Sequence, residues 1–166
     1  MKSTQKLTYS GVLIALGVVT GSLFYIPIGV AKAFPIQHLI NVVSAVLLGP
    51  VWAIGNAFCI SLLRNIMGTG SLLAFPGSMI GALLAGILFH KTHKMHFALL
   101  GEVFGTGVLG ALLSYPIAKS LLGIDKGAFF FVAPFMLSTI AGSLIAYAML
   151  KALSYTPLLK VPHEKA

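Results

Sequence analysis

The feature that most constrains this chain is where its charges are missing. No Asp, Glu, Lys or Arg occurs at 7–31, 33–63, 65–90 or 127–150, and the stretch 95–117 carries only Glu102. A helix that crosses a bilayer needs about 20 mostly apolar residues. Four of these five stretches hold one such helix each, and 33–63 holds two. Composition points the same way. Of the 166 residues 58% are hydrophobic and 8% charged, where a soluble domain carries about 25% charged residues. The expectation is an all-α membrane protein with six transmembrane helices in one compact bundle.

Punctuation places the helices. Helix one is expected over 7–26, stopped by Pro27, and a loop over 28–34 follows. Helix two opens at Pro35, a favoured first-turn residue, and ends at Gly49-Pro50, a stop signal. Helix three runs over 51–66, helix four over 72–90, helix five over 97–120 and helix six over 128–154. Pro76-Gly77 is expected to loosen or kink helix four. Residues 1–154 form the transmembrane domain, and 155–166, with two prolines, reads as a disordered cytoplasmic tail. The 31–33 run Ala-Lys-Ala resembles a signal-peptide cleavage site. The apolar run before it is nevertheless longer than the 7–15 residues of a signal h-region, so it reads as a helix.

The net charge of +8 suggests nucleic acid only if the bases form a stripe, and here they sit singly at the ends of apolar runs. They read as topology signals. With the N-terminus inside, Lys2, Lys6, Lys91, Lys94, Lys151, Lys160 and Lys165 face inward, against Lys32, Arg64, Lys119 and Lys126 outward. Seven against four favours N-in and C-in. The lone Cys59 excludes a disulfide framework. His90, His93 and His96 read as a solvated basic loop, so no metal and no cofactor is expected. Without a phosphate-binding Gly-Lys-Ser/Thr loop or a catalytic triad, the chain is not expected to be an enzyme.

Glycine and polar residues carry the remaining information. Gly17 with Gly21, Gly81 with Ala85, and Gly101 with Gly105 are small-xxx-small pairs that let helices approach closely. Gly11 with Ala15 is the pair suited to docking a partner. Polar residues inside a membrane are costly and need a reason. Gln37, His38 and Asn41 form one patch on helix two. With Arg64, Asn65, Thr69, Ser71, Phe75, Ser78, Tyr115 and Ser138 they are expected to converge on one outward-facing cup. Phe34, Phe75, Tyr115, Phe130 and Phe131 offer stacking faces for a small heteroaromatic ligand. Glu102 is expected in the inner third of helix five. There it pairs with a group such as Asn56 or takes part in ligand binding or gating, at a depth far from His38.

Several runs together resemble the ThiW family: FPIQHLIN at 34–41, LLGP at 47–50, SLLRN at 61–65, GTG at 68–70, LAFPGS at 73–78, GEVFG at 101–105 and LLSYP at 112–116. The likeness covers about residues 5–153. It implies the substrate-binding S component of an energy-coupling factor transporter in a prokaryotic plasma membrane. Such a subunit captures a thiamine precursor, here the thiazole moiety hydroxyethylthiazole. It works with a membrane T component and two ATPase subunits. The family resemblance also implies docking through an Ala-x-x-x-Ala-like face on helix one, matched here by Gly11 and Ala15. Pocket roles carry over to Phe34, Ser78, Tyr115 and Ser138. Gln37, His38, Asn41, Asn65, Phe75 and Glu102 are added from position and chemistry. Arg64 is expected at the rim, or on a phosphate were the ligand phosphorylated. Other readings are an S component for hydroxymethylpyrimidine or thiamine, and a stand-alone carrier or channel.

Overall fold

The computed structural model describes residues 1–28 and 31–155. The expected tail beyond Tyr155 lies outside the described residues. The helices are α1 (Ser3–Leu23), α2 (Pro35–Leu48), α3 (Pro50–Ile66), α4 (Ala74–Thr92), α5 (Met95–Leu121) and α6 (Ala128–Ser154). Among the described residues, α4, α5 and α6 are long and apolar enough to cross a membrane.

The first departure from expectation follows α1, which ends at Leu23 rather than at 26. Proline disfavours helical geometry in the residue before it, so Ile26 cannot continue the helix into Pro27. The chain instead makes a short antiparallel pair, β1 (Ile26–Ile28) with β2 (Ala31–Ala33), with Pro27 in register with Lys32. The strand pair replaces the expected loop, and β2 packs on α6.

Helix α2 forms the centre of the bundle. It touches α1, α3, α4, α5 and α6, and every residue except Ile36 and Leu47 is buried. At 14 residues and 1.5 Å per residue it is about 21 Å long, short of the ~30 Å of a bilayer core. Gly49 alone joins it to α3, with φ +93° and ψ 173°, a conformation open essentially to glycine only. Pro50 then opens α3.

Small residues set the α4–α5 seam. The pair is antiparallel, so Gly77, Gly81 and Ala85 meet Gly110, Gly105 and Gly101. A Cβ at Gly101 would lie 2.7 Å from the Ala85 nitrogen, and one at Gly105 would lie 2.8 Å from the Gly81 Cα. No side chain fits there, so the expected small-residue pairs are internal packing. Helix α5 winds as a π-helix over Gly105–Gly110, the rare wider coil often found at functional sites. Pro76 does not kink α4. The helix starts at Ala74, two residues later than expected, so Pro76 falls in its first turn, where no helical N–H bond is lost.

Helix α1 is peripheral and packs on α2 and α3. Gly17 meets Ile60, and Gly21 meets the Arg64 guanidinium. Its other side leaves Leu7, Val12, Leu16 and Val19 exposed.

Candidate functional site

A cavity of about 600 Å³ opens at the end of the bundle that carries the α3–α4 loop and the α5–α6 connection. Helix α2 brings Phe34, Gln37 and His38 to it from its first turn. The loop Gly68–Ser71 forms one side, followed by Leu73, Ala74 and Ser78 of the α4 region. Leu122, Ile124 and Lys126 line it from the α5–α6 connection. Phe130, Phe131, Pro134, Phe135 and Ser138 complete the wall from α6. The wall is mostly aromatic and aliphatic, with a few polar groups, which is the usual make-up of a small-molecule pocket.

Behind this wall lie two buried polar clusters. Arg64 anchors the first and is only 1% exposed. Its Nη1 donates to Gln37 Oε1 at 2.7 Å and its Nη2 to the Thr69 carbonyl at 3.0 Å. Its guanidinium carbon stands 4.0 Å from the centre of the Phe34 ring, a cation–π contact. Gln37 Nε2 donates in turn to Ser61 Oγ at 2.9 Å. One cation therefore ties the start of α2, the end of α3 and the cavity loop together. Arg64 is not a rim residue. Its place near the end of α3 turns it toward α1 and α2, where Gly21 leaves room for it.

Glu102 holds the second cluster together. His38 Nδ1 lies 2.8 Å from Glu102 Oε1, and Asn41 Nδ2 donates to the same oxygen at 2.9 Å. The Thr106 hydroxyl lies 3.1 Å from that oxygen and 3.0 Å from the Gly77 carbonyl. Asn41 Nδ2 also reaches the Ser78 carbonyl at 3.1 Å, while the Ser78 hydroxyl donates to Asn41 Oδ1 at 3.3 Å. Glu102 is 0% exposed, and its Oε2 has no partner among the described residues.

This arrangement corrects the expected separation of His38 from Glu102. That expectation treated helix two as a full span. Counted from the end the helices share, His38 stands ten residues above Leu48 and Glu102 seven above Met95. At 1.5 Å per residue the depths differ by about 5 Å. The expected partner of Glu102, Asn56, turns to α2 instead and donates to Ser44 Oγ at 3.0 Å.

Of the other residues expected in the cup, Phe34, Gln37, His38, Thr69, Ser71, Ser78 and Ser138 line the cavity. Ser138 Oγ also accepts the Phe34 backbone N–H at 2.8 Å. Asn41 and Glu102 form the layer beneath. Asn65, Phe75 and Tyr115 stand outside the lining. Asn65 Nδ2 donates to the Ser61 and Ser71 carbonyls, at 2.7 and 3.1 Å, and so fastens the loop to α3. Phe75 packs on Phe58 with centroids 5.7 Å apart. It lies about 100° around the helix from Ala74, whose face is shared by Ser78. Tyr115 meets Lys119 at 5.9 Å, because the buried stripe of α5 runs through Ala111, Ser114 and Ala118. Leu122, Ile124 and Lys126, in the connection between the expected helices five and six, line the cavity without having been expected there. The available signal was a pair of large aliphatics flanking a glycine in a connection. Phe135, also missed, lies one turn beyond Phe131 on the same face. On α1, Gly11 and Ala15 are exposed, and a Cβ on Gly11 would meet nothing within 4 Å.

A protein-family model described as thiamine-precursor transporter protein (ThiW) matches residues 7–156 of this chain. No curated protein matches it.

Proposed function

On the premise that the chain belongs to the ThiW family of thiamine-precursor transporter proteins, we propose that it is the substrate-capture subunit of an energy-coupling factor importer, with hydroxyethylthiazole as its ligand. The observation that carries this reading is the cavity at one end of the bundle. Its aromatic walls and few polar groups suit a small neutral heteroaromatic molecule. Phe34, Phe130 and Phe131 stack on the ring. Gln37, His38, Ser78 and Ser138 take its nitrogen and hydroxyethyl group. Asn41 and Glu102 hold His38 and Ser78 from below, and Asn65 fixes the loop. Phe75 and Tyr115 support the wall without touching ligand. No countercharge is needed for a neutral ligand, which agrees with Arg64 being committed to Gln37, Thr69 and Phe34.

In this reading all six helices lie in the plasma membrane of a prokaryote with both termini inside, as the distribution of bases favours. The cavity then opens outward. A T component and two ATPase subunits supply the energy. The T component docks on the uncovered side of α1 around Gly11 and Ala15, where small residues permit close approach. The chain beyond α6 is a cytoplasmic tail outside the binding domain.

Thermal unfolding of the purified protein with hydroxyethylthiazole, hydroxymethylpyrimidine or thiamine tests the ligand. A ligand at 100 times its dissociation constant adds about 2.7 kcal/mol of stability. A shift with the thiazole and none with the other two is the expected result. A shift with hydroxymethylpyrimidine or thiamine instead would reassign the cargo.

A further inference from the structure

We propose that His38 and Glu102 act as one unit that presents an N–H donor to the cavity, and that this donor selects a ligand whose aromatic ring nitrogen is bare rather than alkylated. The inference rests on the reading of the cavity as a thiazole site and deepens it.

The Ser78 backbone carbonyl can only accept, so the Asn41 atom at 3.1 Å from it is the amide nitrogen. That nitrogen also donates to Glu102 Oε1. Oε1 therefore has a lone pair directed at Asn41, while His38 Nδ1 lies 2.8 Å from the same atom. Glu102 is 0% exposed, and a bare carboxylate at such a place would be an uncompensated buried charge, which is strongly destabilising. Arg64 does not compensate it, since its Nη atoms donate to Gln37 and Thr69. Lys126 stands over Phe130 at 5.7 Å. Among the described residues, the group in ion-pair contact with Glu102 is His38.

The pair is therefore neutral as a whole, and one proton lies between Oε1 and Nδ1. Two forms keep this contact. One is carboxylate with imidazolium, and the other is carboxylic acid with neutral imidazole. In both, the second ring nitrogen, Nε2, carries a hydrogen. A third form, with the proton on Oε2, would bury a donor where no hydrogen-bond partner lies among the described residues. Leaving a buried donor unmet costs about 1–3 kcal/mol. His38 lines the cavity, its side chain is 10% exposed, and Nε2 is not among the sealed unpartnered atoms. The N–H accordingly meets whatever occupies the cavity.

An N–H in that position requires an acceptor. A free thiazole offers the in-plane lone pair of its ring nitrogen. In thiamine the same nitrogen is alkylated and cationic, so it has no lone pair and would set a positive charge against a donor. Glu102 is a positioning residue here, acting through His38.

The test is calorimetric titration of the full-length protein with hydroxyethylthiazole and with its N-methylated thiazolium. The wild type is expected to bind the free thiazole at least ~10-fold more tightly, the size of one charge-assisted hydrogen bond. His38→Asn keeps a donor near the Nδ1 position but removes Nε2. It is expected to lose about 10-fold for the free thiazole and to bind the two ligands within about 3-fold of each other. Should His38→Asn not fold, Glu102→Gln carries the same test. Asn41 keeps an oxygen at the Oε1 position, a neutral His38 donates from Nδ1, and Nε2 loses its hydrogen, so discrimination should fall likewise. Equal binding of both ligands by the wild type would overturn the inference, as would discrimination that survives in either variant. If the wild type bound the thiazolium as loosely as predicted but Phe130→Ala left free-thiazole binding untouched, the cavity reading itself would be at fault.

Discussion

At the residue scale, one buried charged side chain carries much of the architecture around the cavity. Arg64 joins three elements through Gln37, Thr69 and Phe34. Replacing it with Met keeps much of the volume but strands Gln37 Oε1 and the Thr69 carbonyl. Arg64→Met should cost about 2–4 kcal/mol, the range for breaking buried charged hydrogen bonds. It should also weaken ligand binding, because Phe34 and the loop lose their tie. Thermal unfolding and ligand titration of that variant check both. Gln37, His38 and Asn41 were legible as a patch because 3.6-residue periodicity puts them together. What they pair with was not legible. Partner choice depends on relative helix heights, and α2 is shorter than its apolar run implies.

At the element scale, spacing of small residues was the most readable signal. Gly81, Gly101 and Gly105 do form a seam, and the α4 and α5 backbones touch there. A methyl group on Gly81 would collide with Thr106 and lie 2.8 Å from Glu102 Oε2. Gly81→Ala should therefore destabilise by about 1–3 kcal/mol, the usual cost of overpacking, and should disturb Glu102. Gly55→Ala, where a Cβ meets nothing within 4 Å, is the matched control and should be neutral or slightly stabilising in thermal unfolding. Which way an individual aromatic points was far less readable. Helices α4 and α6 are apolar nearly all round, so their sequence carries little phase to say which face is inward. Phe75 on α4 was therefore placed by depth alone, as Tyr115 on α5 also was, and depth does not fix rotation. The strand pair was unreadable for a different reason. Pro27 announces a break, but three-residue strands give no alternation long enough to detect.

At the scale of the whole molecule, charge-free windows and proline-glycine punctuation led to six helices, each within a few residues of its observed bounds. A bilayer imposes length and apolarity on a crossing segment, and among the described residues α4, α5 and α6 meet both. The bundle has a centre, α2, and a loosely attached edge, α1. Gly11→Leu should leave thermal stability and ligand binding unchanged, since nothing lies within 4 Å of the added side chain's first atom. It should abolish uptake by cells that carry the complete transporter, if that edge is the docking face. Unimpaired uptake would move docking elsewhere on the protein.

The central claim is that the aromatic-walled cavity holds the ligand. Ala74 lines it from the first turn of α4, so Ala74→Trp places an indole in it. The decisive measurement is titration calorimetry of hydroxyethylthiazole against the wild type and Ala74→Trp, both shown to be folded by their unfolding transitions. The account predicts saturable one-to-one binding by the wild type and none by the variant. Equal binding by both would contradict it.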